Sequence, residues 1–175
     1  HRPSTNPEIA RAAIELIEHS SKPVIVAGGG ATASGASREI VRLSEALSIP
    51  VATSLNGKGL INENHELSAG VTGTYSRESA NRIVSESDLV IFLGSQTGGQ
   101  VTHFWEVPNK TAKFIQVNIT PNELGRNYPA DVSILGDVRE TLRMFLEVIK
   151  VSDYETKDRT PWISRVSEIK DQWLE

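Results

Sequence analysis

The sequence predicts an α/β fold: a doubly wound, Rossmann-like parallel sheet of about six strands with helices on both faces. Three observations lead there. Short apolar runs, such as Val24–Ala27 and Leu89–Leu93, alternate with segments of helical periodicity. The runs are apolar at every position, as strands covered on both faces must be. And they stop abruptly in small or polar residues: Gly28-Gly29-Gly30, Gly94, and Ile119-Thr120-Pro121-Asn122. In a parallel sheet these stops share one edge, the edge at which open α/β sheets take nucleotides.

In chain order, Asn6 is an N-cap and Pro7 suits the first turn of a helix reaching about His19, with Ile9, Ala13, Leu16 and Ile17 on its apolar face. Strand Val24–Ala27 and the glycine turn follow. A second helix, about Ser34 to Leu47, carries Ile40, Leu43 and Leu47 on one stripe. Ile49–Thr53 is a strand and Asn56–Gly59 a loop. Residues 76–85 form a helix bearing Ala80, Ile83 and Val84. Strand Leu89–Leu93 runs into a long glycine-rich loop, Gly94 to about Asn109. Then come strand Phe114–Asn118, a turn or short helix at Pro121–Gly125, a short strand Val132–Leu135, and a helix Val138–Ile149 striped by Leu142, Phe145, Leu146 and Ile149. After Lys150 the composition turns polar, which divides the chain into a nucleotide-binding-like domain, 1–150, and a tail, 151–175. The tail reads as a linker followed by an amphipathic helix with Trp162, Val166, Ile169 and Trp173 on one side. Those tryptophans fit packing on the domain's own surface or on a missing neighbour.

Composition narrows the function. The chain has 175 residues, 38% hydrophobic and 23% charged, with a formal charge of −4, which argues against a general nucleic-acid binder. No apolar run approaches the roughly 20 residues of a membrane span. Cysteine is absent, so disulfides, thiolate metal sites and cysteine nucleophiles are excluded, in keeping with a cytoplasmic protein. The polar, proline-containing opening is not a signal peptide, and the missing initiator methionine suggests a piece of a longer chain.

The glycine turn is the first candidate site. Glycine permits both a sharp turn and close approach of a phosphate to the backbone, but the spacing is not G-x-G-x-x-G, and such turns also occur without ligands. Thr53 and Ser54 offer hydroxyls at a strand end. Lys58 follows no phosphate-loop pattern and reads as a solvated loop lysine. The loop Gly94-Ser95-Gln96-Thr97-Gly98-Gly99-Gln100 suits a pyrophosphate or a flavin, or is a plain long loop. His1, His19, His65 and His103 have no ligand spacing, so no metal site is expected. Asp88, just before a strand, orients a turn.

Residues 7 to about 150 resemble the central domain of thiamine-diphosphate-dependent enzymes of the acetolactate synthase-like family. The likeness rests on an ordered set: Lys22–Ala31, Leu43–Thr53 followed by Asn56–Gly59, Glu66–Gly70 with Gly73, Glu86–Gly94, Gln116–Gly125 and Ile134–Asp137. The resemblance implies a parent enzyme, a transferase or lyase, using thiamine diphosphate and magnesium. It implies flanking pyrimidine and diphosphate domains as partners, and a homo-oligomeric parent. The family's diphosphate motif, Gly-Asp-Gly…Asn, does not occur in these residues, so the chain alone is expected neither to bind thiamine diphosphate nor to catalyse. In some members this domain holds FAD or ADP. The corresponding positions are Thr53, Ser54 and Leu55, Thr72 and Gly73, Gly94, Ser95 and Gln96, Asn118, and Gly136 and Asp137. Gln96 stands about where the acetolactate synthase branch has an arginine, and Asn118 where an acid is common. The expected ligand is therefore weakly bound FAD or ADP, or none, across these strand ends and Gly28, Gly29 and Gly30. The alternatives are the FAD domain of an electron-transfer flavoprotein-like protein, suggested by Gln96-Thr97-Gly98, and a ligand-free assembly module.

Overall fold

The computed structural model of the chain describes residues 2–152 and 154–174. His1, one of the four scattered histidines, lies outside them. The elements run α1 (Pro7–His19), β1 (Pro23–Ala27), α2 (Gly29–Ser34), α3 (Ser37–Leu47), β2 (Val51–Thr53), β3 (Ser68–Val71), α4 (Glu78–Glu86), β4 (Leu89–Leu93), β5 (Lys113–Asn118), β6 (Val132–Leu135), α5 (Val138–Val151) and α6 (Thr160–Leu174). The six strands form one sheet in the order β3-β2-β1-β4-β5-β6, and every pairing is parallel. This is the doubly wound arrangement, with its reversal of direction between β1 and β4.

Alternation along the strands builds two cores. Ile25 and Ala27 of β1, Leu89, Ile91 and Leu93 of β4, and Ile115 and Val117 of β5 face α1, α3 and α5. Val24, Val26, Val90, Phe92 and Phe114 face the other way, toward Ile83 and Val84 of α4 and Trp162, Val166 and Ile169 of α6. Strands buried on both sides need apolar residues at every position, which is why they read as unbroken runs.

The caps match the sequence reading at several points. Asn6 accepts the Ile9 amide at 2.8 Å and opens α1. The Asp88 carboxylate accepts from Ser20 Oγ and from the Ser21 and Lys22 amides, and so orients the turn into β1.

Two features were not read from the sequence, and a third decides where Trp162 packs, which the sequence left open. The glycine turn is itself the start of a short helix, α2. Strand β3, Ser-Ala-Gly-Val, has little β-propensity and no apolar run. It exists because β2 offers a pairing edge, and its register shifts beside Ala52. The tail is integral to the fold: Trp162 is 2% exposed and its indole N–H donates to Pro23 O at 2.9 Å. Before it, the buried Arg159 guanidinium donates to Leu47 O and Ile17 O, each at 2.7 Å, and to Ser20 O at 3.3 Å. One cation thus caps the carboxyl ends of α1 and α3, where carbonyls lack helical partners and the helix dipoles are negative.

Candidate functional site

At the reversal point between β1 and β4 the glycine turns that follow the two strands meet backbone to backbone. The Gly28 amide donates to Leu93 O at 3.0 Å and the Gly30 amide to Gly94 O at 2.8 Å. A Cβ on Gly28 would stand 2.6 Å from Ser95 Cα, and one on Gly30 2.9 Å from Gly94 Cα. Gly94 has φ +57°, and a Cβ there would meet the Ala31 amide nitrogen at 2.5 Å. These glycines are demanded by the contact of one backbone with another. Gly29 takes no part in this stitching, and a Cβ there meets only Asn56 Cβ, at 3.2 Å.

On the β2 side, Thr53 and Ser54 are buried and Leu55 is exposed. The Ser54 amide donates to Ala27 O at 2.9 Å, which holds the β2 stop beside the glycine turn. Thr72 and Gly73 follow β3. The sequence reading missed what fixes them: Asn81 of α4 accepts from Thr72 Oγ1 at 2.9 Å and from the Gly73 amide at 2.8 Å, and its Nδ2 donates to Gly73 O at 3.0 Å. An asparagine on a helix carries no signal of this until the helix is placed.

On the β5–β6 side, Asn118 Oδ1 accepts the Thr120 amide at 3.0 Å, and its carbonyl accepts the Gly136 amide at 3.0 Å. Asp137 caps α5, accepting the Glu140 amide at 3.2 Å, and lies 3.5 Å from the Arg2 guanidinium. Its amide donates to Pro3 O at 2.8 Å. The N-terminal segment therefore crosses this end of the edge, and the Asp137 carboxylate is engaged by the chain itself.

The loop after β4 holds Ser95 buried and Gln96 exposed. Thr97 O accepts from Asn127 Nδ2 at 2.8 Å and from the Trp105 indole at 3.2 Å. Three consecutive non-glycine residues, His103, Phe104 and Trp105, adopt positive φ of 46°, 54° and 66°, each at a cost of roughly 1–2 kcal/mol. Phe104 and Trp105 are exposed there, as are Leu55 and Ile119 at other strand ends. The carboxyl edge of the sheet thus carries neutral polar groups and an exposed apolar rim, and the rim was not anticipated. Among the described residues no three His, Cys, Asp or Glu side chains are grouped as metal ligands, and no helix is long and apolar enough to cross a membrane.

Residues 10–145 match the family model described as the thiamine pyrophosphate enzyme, central domain. The chain belongs to this family. It is 39% identical over 97% of its length to a probable acetolactate synthase large subunit of Methanocaldococcus jannaschii. It is 35% identical, again over 97%, to the acetolactate synthase large subunit of Corynebacterium glutamicum, and 40% identical over 81% to the acetolactate synthase of Arthrospira platensis. The chain spans only 29%, 28% and 25% of those relatives. These matches do not favour the electron-transfer flavoprotein reading.

Proposed function

We propose that this chain is the nucleotide-binding-like middle module, residues 1–150 with a closing tail at 151–175, of a thiamine-diphosphate- and magnesium-dependent enzyme of the acetolactate synthase type. In this reading it is not catalytic alone. Flanking domains supply the diphosphate motif these residues lack, and the module positions them within a homo-oligomer.

The observation that carries the reading is the glycine-walled reversal point of the sheet in a member of this family. It has the place and the glycines of a dinucleotide site, its candidate donors are neutral, and the one cation at this edge, Arg2, is already beside Asp137. Two of its three glycine amides already serve the Leu93 and Gly94 carbonyls, and its one acid, Asp137, is tied to Arg2 and to α5. Neutral hydrogen bonds are roughly half as strong as charge-assisted ones, so FAD or ADP binds weakly here and the purified protein is mostly without either. The exposed apolar rim at the same edge favours a second role, as an assembly surface for the flanking domains.

Calorimetric titration with thiamine diphosphate and magnesium is expected to give no saturable heat. FAD should give weak binding that Gly29→Val abolishes. A micromolar constant for thiamine diphosphate, FAD co-purifying at full occupancy, or unchanged FAD affinity in Gly29→Val would each overturn the reading.

A further inference from the structure

A concavity lies away from the reversal point, along the outer edge of β3. It holds about 300 Å³ between the segment after β2, the start of α4 and the end of α6, and shares only Thr53 and Leu55 with the candidate positions at the strand ends. That volume is at the lower end of small-molecule sites, about 300–1,000 Å³. A space of that size suits one ring system and one anionic group.

Three kinds of group converge on it. Lys58, Arg77 and Lys170 line it against a single carboxylate, Glu63, leaving two positive charges in excess. Glu63 sits 3.3 Å from Lys58 and 4.0 Å from Arg77, and so holds both cations at the mouth. Lys170 donates to Glu66 O at 3.2 Å, and burial pushes its pKa down despite the nearby Asp171 and Glu66 carboxylates. A poorly hydrated ammonium of this kind gains from an anion. Tyr75 and Trp173 present ring surface to the same concavity, at 72% and 46% exposure. Finally, Thr53, Ser68 and Ser79 line it as buried residues. Their hydroxyls make no hydrogen bond to a described residue, yet are not among the sealed, unpartnered polar atoms, so they open onto the concavity.

We propose that this groove binds a mononucleotide-sized aromatic anion, its ring against Tyr75 and Trp173 and its phosphate held by Lys58, Arg77 and Lys170. A phosphate monoester carries about −1.5 to −2 at neutral pH, which matches the excess positive charge. Guanidinium and ammonium groups suit it as bidentate and point donors, and the three hydroxyls complete its polar contacts. An added peptide strand is a poorer occupant of this edge, because Gly70 at φ +86° and the register shift beside Ala52 interrupt a regular ladder.

The test titrates the 175-residue chain with adenosine 5′-monophosphate, following tryptophan fluorescence and, in parallel, calorimetric heat. A saturable quench is expected in the unaltered chain and its loss in Trp173→Phe. Adenosine and inorganic phosphate should each bind at least tenfold more weakly. Arg77→Gln and Lys170→Gln, both with unchanged circular dichroism, should each weaken binding at least fivefold in both readouts. Gly29→Val, which alters the turn after β1, should leave the quench intact. Gly29→Val thus separates the two sites, since it should abolish FAD binding and spare the monophosphate. No saturable signal at millimolar monophosphate overturns the proposal. So does indifference to both charge substitutions, or a loss of binding caused by Gly29→Val.

Discussion

At the scale of single residues, the three glycines of the turn after β1 divide: Gly28 and Gly30 are needed by backbone contacts, and Gly29 is not. Gly28→Ala forces a Cβ to within 2.6 Å of backbone. It should cost about 1–3 kcal/mol, as overpacking of a well-packed interior does, whereas Gly29→Ala should be close to neutral. Urea unfolding of both variants checks this, and equal losses would mean that the turn is not held as described. Asn81 makes three hydrogen bonds to Thr72 and Gly73. Asn81→Ala should therefore destabilise by about 1–3 kcal/mol and speed amide exchange in the loop at Thr72–Thr74. Unchanged exchange there would show that the clamp is idle.

Between elements, α6 is held to the body by one apolar and two charged devices. Trp162 fills the second core, and Trp162→Ala should cost about 3–5 kcal/mol. Arg159→Met keeps apolar bulk but uncaps two helices, with an expected loss of roughly 2–3 kcal/mol. Denaturant midpoints measure both, and an Arg159→Met variant as stable as the parent would rule out the capping role. The third device is ionic. Arg165 of α6 grips Glu86 of α4 through two bonds of 2.9 Å, with Arg82 at 3.2 Å. The hydrogen bond from Arg165, with help from Arg82, holds the Glu86 carboxyl below its usual value of 4.5. Its folded pKa is depressed, so the pair's contribution is fully present above about pH 4.5 and is lost as pH falls through the lower folded value. Glu86→Gln should flatten that part of the acid limb of a stability-against-pH curve. An unchanged limb would show that the pair contributes nothing.

For the whole molecule, the parallel sheet sets where stability resides. Strands β1 and β4 are central and wholly buried, while β3 is an edge strand of four residues beside a solvent-open groove. Native-state hydrogen exchange should find Val24–Ala27 and Leu89–Leu93 opening only with global unfolding, and Ser68–Val71 opening locally at lower free energy. Equal protection of β3 and β4 would contradict this ranking. The same architecture explains why candidate site positions spread from Gly28 to Asp137 fall along one edge: parallel strands all end on the same side.

Five strands, the α1 cap and the α5 stripe were legible in the sequence because each is a local pattern. Apolar runs, an Asn-Pro start and a 3.6-residue period need no partner to be recognised. The strand ends were legible for the same reason, since a strand's end is visible where its apolar run stops. What the tertiary structure alone decided was the use of groups whose partners are distant in sequence. Ser68–Val71 became a strand through pairing with β2, and Asn81 became a clamp 8 and 9 residues from its acceptors and donors. Arg159 became a cap for helices 112 and 142 residues away, and Asp137 caps α5 and lies beside Arg2, 135 positions earlier in the chain. Local patterning specifies which segments fold into which element. Hydrogen bonds and charge pairs are short-ranged, so which polar group meets which is settled only when packing has brought the elements together.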